Sequence, residues 1–372
     1  MTGIRTLILM KPCIFIWLIW DGAPVTSISV VMTTARDSYP IIGLENVHVL
    51  KPTLYSLEKQ TFRDFEVVIV DACYPEKREW IEKRKWSFPI KYVPPHPNHS
   101  FWLGRGLWNV AGMLNTGILY AEGELIVRLD DCSEIPDVNY LRKFWDAYQN
   151  GFFALAMHTR YRHGRQAYFN EEYRREGYDV AREPQSRKDI LLNFFKEGDP
   201  VRDTRWPTVE KHGRMIAPPE WGYGYSSYSL EALLKINGFN ELFDAVKGQE
   251  DQDCSIRMSM AGYKNVFLLD KDLWVIEHEH LPCVVKSPEP FKCNYGLIQY
   301  EQLKGLFRAN TWKLTMPDCE WIRRNICPKC LNYGRCLNEN LKGQFYVDNE
   351  LFKLWVNHQP LFDLRMERLE VA

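Results

Sequence analysis

Short apolar runs alternate with helical segments between residues 28 and 158, and this alternation constrains the fold more than any other feature of the chain. The runs are apolar on both faces, so each is predicted to be a strand buried between two layers. The pattern predicts an α/β fold with a mostly parallel sheet flanked by helices. The predicted strands are residues 28–34, 65–71, 90–93, 125–129 and 152–158, and the predicted helices are residues 52–60, 107–123 and 138–150, the last two stopping at Gly123 and Gly151.

The alternation is interrupted by residues 159–220, a charged and aromatic segment with few aliphatic side chains. A segment of that length inside a compact domain indicates a functional loop or a small subdomain. The pattern resumes with a helix at 250–262 and two late strands, NVFLL and LWVIEHEH. The predicted units are an N-terminal extension (1–26), a main domain (27–285) and a helical C-terminal extension with a cysteine cluster (286–372).

The composition of the 372 residues is that of a soluble globular protein, with 45% hydrophobic and 26% charged residues. The net charge of -1 gives no electrostatic reason to expect nucleic acid as a partner. Lys11 and Pro12 break the apolar stretch at 7–20, leaving a run too short to cross a membrane, and no cleavage site follows. A cytoplasmic location with at most peripheral membrane contact is therefore predicted.

Polar side chains follow three of the predicted strands, at Thr33 and Thr34, at Asp71, and at Asp130 and Asp131. In an open parallel sheet, ligands bind beyond the carboxyl ends of the strands. Successive strand residues point to opposite faces, so one carboxylate of the Asp pair can face a ribose while its neighbour faces a hard cation. Taken alone, the pair is explained as well or better by a turn followed by a helix cap.

The second half of the chain adds two polar groups. GQEDQDC places Glu250 and Asp251 at a helix start, with Asp253 in the first turn. LWVIEHEH places His278 and His280 on one face of an extended segment. Structural alternatives remain for both, because acidic residues stabilise helix N-termini and isolated histidines are often structural.

Taken in order, these segments resemble glycosyltransferases of the GT-A fold, and most of all family 2. The segments are ISVVMTTARDSYP, FEVVIVDACY, NTGILYAEGE, LDDCSEIPD and NGFNELFDAVKGQEDQDCSIRMSMAGYK, and they span residues 28–280. The resemblance implies a Rossmann-like GT-A domain. It also implies inverting transfer from a nucleotide-diphosphate sugar to a carbohydrate or other hydroxyl acceptor.

The chain departs from the family pattern at several positions. Thr33 replaces a usual Pro, and Leu114 replaces an Arg often found there. The family's metal motif is Asp-x-Asp, whose second Asp falls on Cys132 or on Asp131, depending on the direction of counting. Since a thiol is a poor ligand for a hard cation, Asp131 is the predicted ligand of Mn²⁺ or Mg²⁺ and Asp130 the predicted ribose contact.

The resemblance also implies roles for other side chains. Asp251 is the expected general base, Glu250 an acceptor contact or helix cap, and Asn115 part of the donor site. His278 and His280 are expected near the metal, and Trp221 is either an acceptor platform or a core residue. Thr33, Thr34 and Asp71 are expected around the nucleotide, and the insertion at 159–220 is expected to choose the acceptor.

Two other functions remain to be weighed against transfer. Because Cys132 departs from the metal motif, a degenerate GT-A protein that binds nucleotide sugars without transferring them is the alternative. A nucleotidyltransferase would need a glycine-rich phosphate loop, which TTARDSYP lacks.

A cysteine cluster lies near the C-terminus. Cys319, Cys327, Cys330 and Cys336 include a CPKC spacing that suits tetrahedral Zn²⁺. A structural zinc site and free or paired thiols are equally acceptable interpretations.

Overall fold

The structure is a computed structural model that describes residues 26–36, 50–131, 133–161, 201–203, 205–278, 285, 288, 291–329 and 350–371, without the side chains of 159–161, 201, 202 and 278. The strands are β1 (Ile28–Thr34), β2 (Phe65–Asp71), β3 (Ile90–Val93), β4 (Leu125–Asp130), β5 (Ser133–Glu134), β6 (Phe153–Tyr161), β7 (Val201–Arg202), β8 (Arg214–Ile216), β9 (Ser227–Ser229) and β10 (Phe267–His278). The helices are α1 (Lys51–Glu58), α2 (Arg78–Glu82), α3 (Val110–Tyr120), α4 (Tyr140–Gln149), α5 (Trp206–His212), α6 (Leu230–Lys235), α7 (Glu250–Met260), α8 (Asn294–Lys304), α9 (Met316–Asn325), α10 (Glu350–Asn357) and α11 (Leu364–Val371).

The main sheet has the strand order β3-β2-β1-β4-β9. Its first four strands are parallel, and β9 runs antiparallel beside β4. One face packs against α1 and α4 and the other against α3 and α7. Alternate strand residues point to opposite faces, so Val30 and Val31 belong to different hydrophobic clusters. The predicted α/β class with a mostly parallel sheet flanked by helices is confirmed.

A second sheet carries the later strands in the order β5-β10-β6-β7, with β8 paired to β10. The two strands predicted from NVFLL and LWVIEHEH form the single strand β10, so that prediction is wrong. The pairing of β10 with β6 shifts register between Leu269 and Trp274. The intervening Lys271 and Asp272 are exposed and resemble a turn in the sequence, although the backbone continues through an irregularity of the strand.

Helix α3 ends at Tyr120 and not at Gly123, which corrects the predicted stop. Gly123 serves a close approach instead of a helix cap. A Cβ there would lie 2.3 Å from the Ser29 backbone nitrogen and 2.5 Å from the Ile28 carbonyl carbon. The glycine therefore lets the segment before β4 lie against the start of β1.

The C-terminal helices pack on the body of the protein. Trp102, Leu242 and Phe243 share a buried cluster with Leu297 of α8 and Trp355 of α10. The predicted helical C-terminal extension is therefore present, and it shares its core with residues of the main domain. None of the helices within the described ranges is both long and apolar enough to cross a membrane.

Candidate active site

Polar side chains from three parallel strands meet at one edge of the main sheet. Strand register places Thr34 of β1 opposite Asp71 of β2, and Thr33 opposite Asp130 of β4. The residue types predicted to bind a nucleotide sugar are thus brought to a common edge by the parallel topology. Their detailed contacts differ from one to the next.

Asp131 is buried and ion-paired. The Arg36 Nε donates to both of its carboxylate oxygens, at 2.9 and 2.8 Å, and the Thr34 hydroxyl donates to Oδ2 at 2.7 Å. Asp131 is 5% and Arg36 7% exposed. Both oxygens of the predicted metal ligand therefore have cationic or hydroxyl partners, while Thr33 beside them is partly exposed.

Asp71 is fully buried with its own cation. Lys77 Nζ donates to Oδ2 at 2.9 Å, and the Tyr92 hydroxyl donates to the same oxygen at 2.6 Å. The Cys73 backbone N–H donates to Oδ1 at 2.9 Å. Three donors thus satisfy the carboxylate of Asp71, and its predicted contact with the nucleotide stays a prediction.

Asn115 lies in the interior and joins two parts of the chain. Its amide nitrogen donates to the Phe239 carbonyl and to Glu241 Oε1, both at 2.9 Å, and its oxygen accepts from the Phe239 N–H at 2.8 Å. The side chain is 0% exposed. These contacts hold the loop before residue 241 against α3, and donor binding by Asn115 stays a prediction.

One buried guanidinium, that of Arg128, lies among three carboxylates. Arg128 Nη2 is 3.2 Å from Glu250 Oε1 and 3.6 Å from Asp130 Oδ1, and Nη1 is 3.8 Å from Asp251 Oδ2. Arg128 and Asp130 are two residues apart on β4 and share its face, while Glu250 and Asp251 open α7 as predicted. The guanidinium therefore connects the end of β4 to the first turn of α7.

The charges in this cluster shift one another's protonation. Burial, followed by the negative charge of Glu250, raises the pKa of Asp251 to about 7, against the opposing effect of Arg128. Burial and nearby carboxylates raise the pKa of Asp130 to about 6. For Arg128, burial acts to lower the pKa, but the three carboxylates outweigh it and keep the pKa above its usual value. Asp251 can therefore accept and release a proton near neutral pH.

The loop after Trp221 covers the carboxylates. A Cβ at Gly222 would lie 2.7 Å from the Asp251 carbonyl oxygen, and one at Gly224 would lie 2.8 Å from Asp130 Oδ2. Only glycine admits such close approach. Trp221 is partly buried against the hydrophobic cluster that contains Val31, and its carbonyl accepts from Arg205 Nη1 at 2.8 Å. The predicted acceptor platform thus lies next to the start of α7, in a loop that also reaches Asp130 at the end of β4.

The predicted metal ligands are not gathered into one cluster among the described residues. Within the described parts of the chain, no three His, Cys, Asp or Glu side chains are grouped so that they could hold a metal ion. Cys132, the His278 side chain, His280, Cys330 and Cys336 lie outside the described residues.

Of the four clustered cysteines, Cys319 is buried in α9 and Cys327 lies in a 3-10 turn. Burial raises the pKa of the Cys319 thiol to about 12. The zinc site stays a prediction, and so do the histidine ligands of Mn²⁺ or Mg²⁺. At Asp131, a cation would have to replace the contacts made by Arg36 and Thr34, so the described residues do not fit a metal as they stand.

Sequence reasoning missed three buried cations at this edge of the sheet. Arg128 has a local signal, because it is the charged residue inside the apolar run LIVRL, two positions before Asp130. Arg36 and Lys77 have no comparable signal, since each follows its strand in a polar segment. Their partners are set by tertiary structure.

Residues 44–216 match the model of the family described as glycosyl transferase family 2. The matched segment contains Asp71, Asn115, Asp130 and Asp131 and ends before Trp221 and α7. The predicted resemblance to this family is confirmed over those residues. No curated protein matches the chain.

Solved structures with some similarity include S. aureus TarS residues 1–349 in complex with UDP, which is 17% identical with a TM-score of 0.44, over 84% of this chain and 75% of that one. Another is a mycobacterial protein, 14% identical with a TM-score of 0.35, over 70% and 73% of the two chains. A third is glucosyl-3-phosphoglycerate synthase from Mycobacterium tuberculosis with Mn²⁺ and UDP-glucose, 12% identical with a TM-score of 0.33, over 69% and 72%. With TM-scores below 0.5, these similarities carry no conclusion.

Proposed function

We propose that this chain, a glycosyltransferase by its match to family 2, moves a sugar from a nucleotide-diphosphate sugar to a hydroxyl of a carbohydrate or other acceptor, with inversion. Asp251 is the general base. The observation that carries the proposal is the Arg128 cluster, in which one guanidinium lies 3.6 Å from Asp130 at the donor edge and 3.8 Å from Asp251. A single side chain thus connects the proposed donor contact Asp130 with the proposed base Asp251.

In this mechanism the acceptor oxygen attacks the anomeric carbon as its proton moves to an Asp251 carboxylate oxygen. The bond from the anomeric carbon to the nucleotide diphosphate breaks, and the diphosphate leaves with the bonding electrons. A base whose pKa lies near the working pH is effective in this role, and such assistance accelerates a reaction by ~10²–10⁴-fold. The pKa of Asp251, raised to about 7, meets this requirement.

The surrounding residues take the other roles. The nucleotide-sugar donor binds at the carboxyl ends of the parallel strands, which we call the donor edge and which consists of Thr33, Thr34, Asp71, Asp130 and Asp131. Glu250 orients acceptor hydroxyls beside the base. Trp221 is the proposed acceptor platform, supported by its position directly before Gly222, which packs on the first turn of α7. A requirement for Mn²⁺ or Mg²⁺ remains a prediction of the resemblance, and no step above depends on it.

Asp251→Asn tests the assignment. The amide cannot take the proton, so transfer should fall by at least ~10²-fold while the donor still binds. We would screen UDP-, GDP- and CDP-linked sugars for release of nucleotide diphosphate and measure nucleotide binding by calorimetry. Asp272→Asn, at an exposed position of β10, is the matched control.

Near-normal transfer by Asp251→Asn would remove Asp251 from the base role. Nucleotide binding by the unaltered protein, without transfer of any of these sugars, would support the alternative of a degenerate binding protein.

A further inference from the structure

We propose that Arg128 is the positioning residue of the transfer reaction: it holds the first turn of α7 against β4 and, together with Glu250, sets the protonation of the base. This inference rests on the proposed function and names a residue that the family resemblance did not supply. One guanidinium faces three carboxylates, and its distances to them differ.

The contacts of Arg128 are unequal. Its shortest ion pair, 3.2 Å, is to Glu250, and the separations to Asp130 and Asp251 are 3.6 and 3.8 Å. Because a charge pair weakens with distance, Glu250 is the best neutralised of the three. The Asp251 carboxylate lies near the positive charge of Arg128 but outside hydrogen-bond distance of the guanidinium. Its oxygens therefore remain able to accept a proton.

The guanidinium also has unused donors. Arg128 is 5% exposed, and within the described residues its Nε and Nη1 have no hydrogen-bond partner. Buried donors of this kind are costly unless something compensates them. Nη1 is the guanidinium nitrogen nearest Asp251, at 3.8 Å, so the positive charge that lacks a hydrogen-bond partner faces the base.

The charges that face Asp251 come from three elements. On α7, Glu250 adds negative charge and the Gln252 N–H donates to Oδ1 at 2.8 Å. On β4, Arg128 and Asp130 contribute one charge of each sign. Tyr228 of β9 and Cys254 of α7 are neutral at physiological pH, since burial raises the pKa of both, that of Cys254 to about 12. The net effect on Asp251 therefore depends mainly on the opposed charges of Arg128 and Glu250.

The test is a pair of substitutions with opposite signs. Glu250→Gln removes a negative charge beside Asp251 and should lower its pKa by about one unit. Arg128→Met removes the positive charge and should raise it by about one unit or more. Arg128→Lys keeps the charge and should restore most of the shift. If Arg128 and Glu250 contributed only packing, their substitution would not shift the pKa of Asp251 in opposite directions.

Two readouts separate this inference from the proposed function. Infrared difference spectroscopy titrates the protonated carboxyl band that disappears in Asp251→Asn, and this needs no activity. The second readout is the pH profile of kcat/KM, measured with whichever nucleotide sugar supports transfer. The fall of kcat/KM at low pH gives the pKa of the base in the reaction. At pH 7, Arg128→Met should be about fivefold slower or more, because a one-unit rise lowers the deprotonated fraction of Asp251 from about one half to about one tenth, and the loss should be recovered at higher pH.

The outcomes are distinct. Opposed shifts in the infrared titration, with partial rescue by Arg128→Lys, support the inference. If Glu250→Gln lowers the pKa but Arg128→Met leaves it unchanged, Arg128 has no such role, although Asp251 can still be the base. If the infrared pKa moves while the pKa from kcat/KM does not, the proposed base is wrong and the electrostatic coupling stands.

Arg128→Met leaves three carboxylates together and can fail to fold. In that case the double variant Arg128→Met with Glu250→Gln replaces it, since one charge of each sign is removed. Its Asp251 pKa should lie above that of Glu250→Gln alone, and equal values in the two variants would overturn the inference.

Discussion

Asp130 and Asp131 are neighbours in sequence with different electrostatic surroundings. Asp131 is closed off by Arg36 and Thr34, whereas the Asp130 side chain is 38% exposed and faces the Arg128 cluster. The sequence predicted that the two side chains face different surroundings, although Asp131 lies in the turn just after β4 and not in the strand. Their partners were not, because a residue's cation depends on which segments the fold brings together.

Asp131→Ala, without added metal or donor, should lower the free energy of unfolding by ~3–5 kcal/mol, because it removes one partner of a buried ion pair. Asp130→Ala is the matched control at the adjacent position, and its cost should be about 1 kcal/mol or less. Urea unfolding of the three proteins gives the comparison. Equal losses in the two variants would show that the Arg36 contact contributes nothing special to stability.

At the scale of single elements, the strand predictions were the most accurate. The bounds of β1, β2 and β3 agree with the structure residue for residue, because continuous apolar runs between turns leave few alternatives. The end of α3 and the continuity of β10 could not be predicted. Gly123 resembles a helix stop, and Asp270 to Asp272 resemble a turn, until the packing of neighbouring segments is known.

Gly123→Ala should lower the free energy of unfolding by ~1–3 kcal/mol, because the new methyl group would overlap the backbone of Ile28 and Ser29. Gly104→Ala is the control, since a Cβ there has no neighbour within 4 Å and the residue has no positive φ. Thermal and urea unfolding of both variants measure the effect. A Gly123→Ala protein as stable as the control would mean that the two segments separate at no cost.

At the scale of the whole molecule, His99 ties the last helix to the body. Its Nδ1 is 2.6 Å from Glu241 Oε1, and its Nε2 is 2.9 Å from Glu367 Oε2 in α11. Burial acts to lower the pKa of His99, but the two glutamates outweigh it and raise the pKa to about 10. The imidazolium donates to both carboxylates and joins segments about 270 residues apart in sequence.

The stability of the protein should fall as the pH rises from about 6 to 10, in part because of this histidine. A pKa raised above the unfolded value of about 6.5 contributes stability below that pH, and the contribution is lost as the pH rises through about 10. His99→Gln should flatten the dependence by on the order of 2–4 kcal/mol across this range.

Urea unfolding at several pH values measures this dependence. His358→Gln is the control, because burial lowers the pKa of His358, so its contribution to the pH dependence lies below the unfolded value of about 6.5 and not between about 6.5 and 10. Parallel curves for the unaltered protein and His99→Gln would contradict the assignment.

The cluster shared by Trp102, Phe243, Leu297 and Trp355 has a consequence for the order in which the chain is made. Residues 102 and 243 leave the ribosome well before residues 297 and 355. At about 5–20 residues per second, a delay on the order of 10 s separates the apolar face of the main domain from the helices that cover it. During that interval the nascent chain presents this face to solvent, where chaperones compete with aggregation for it.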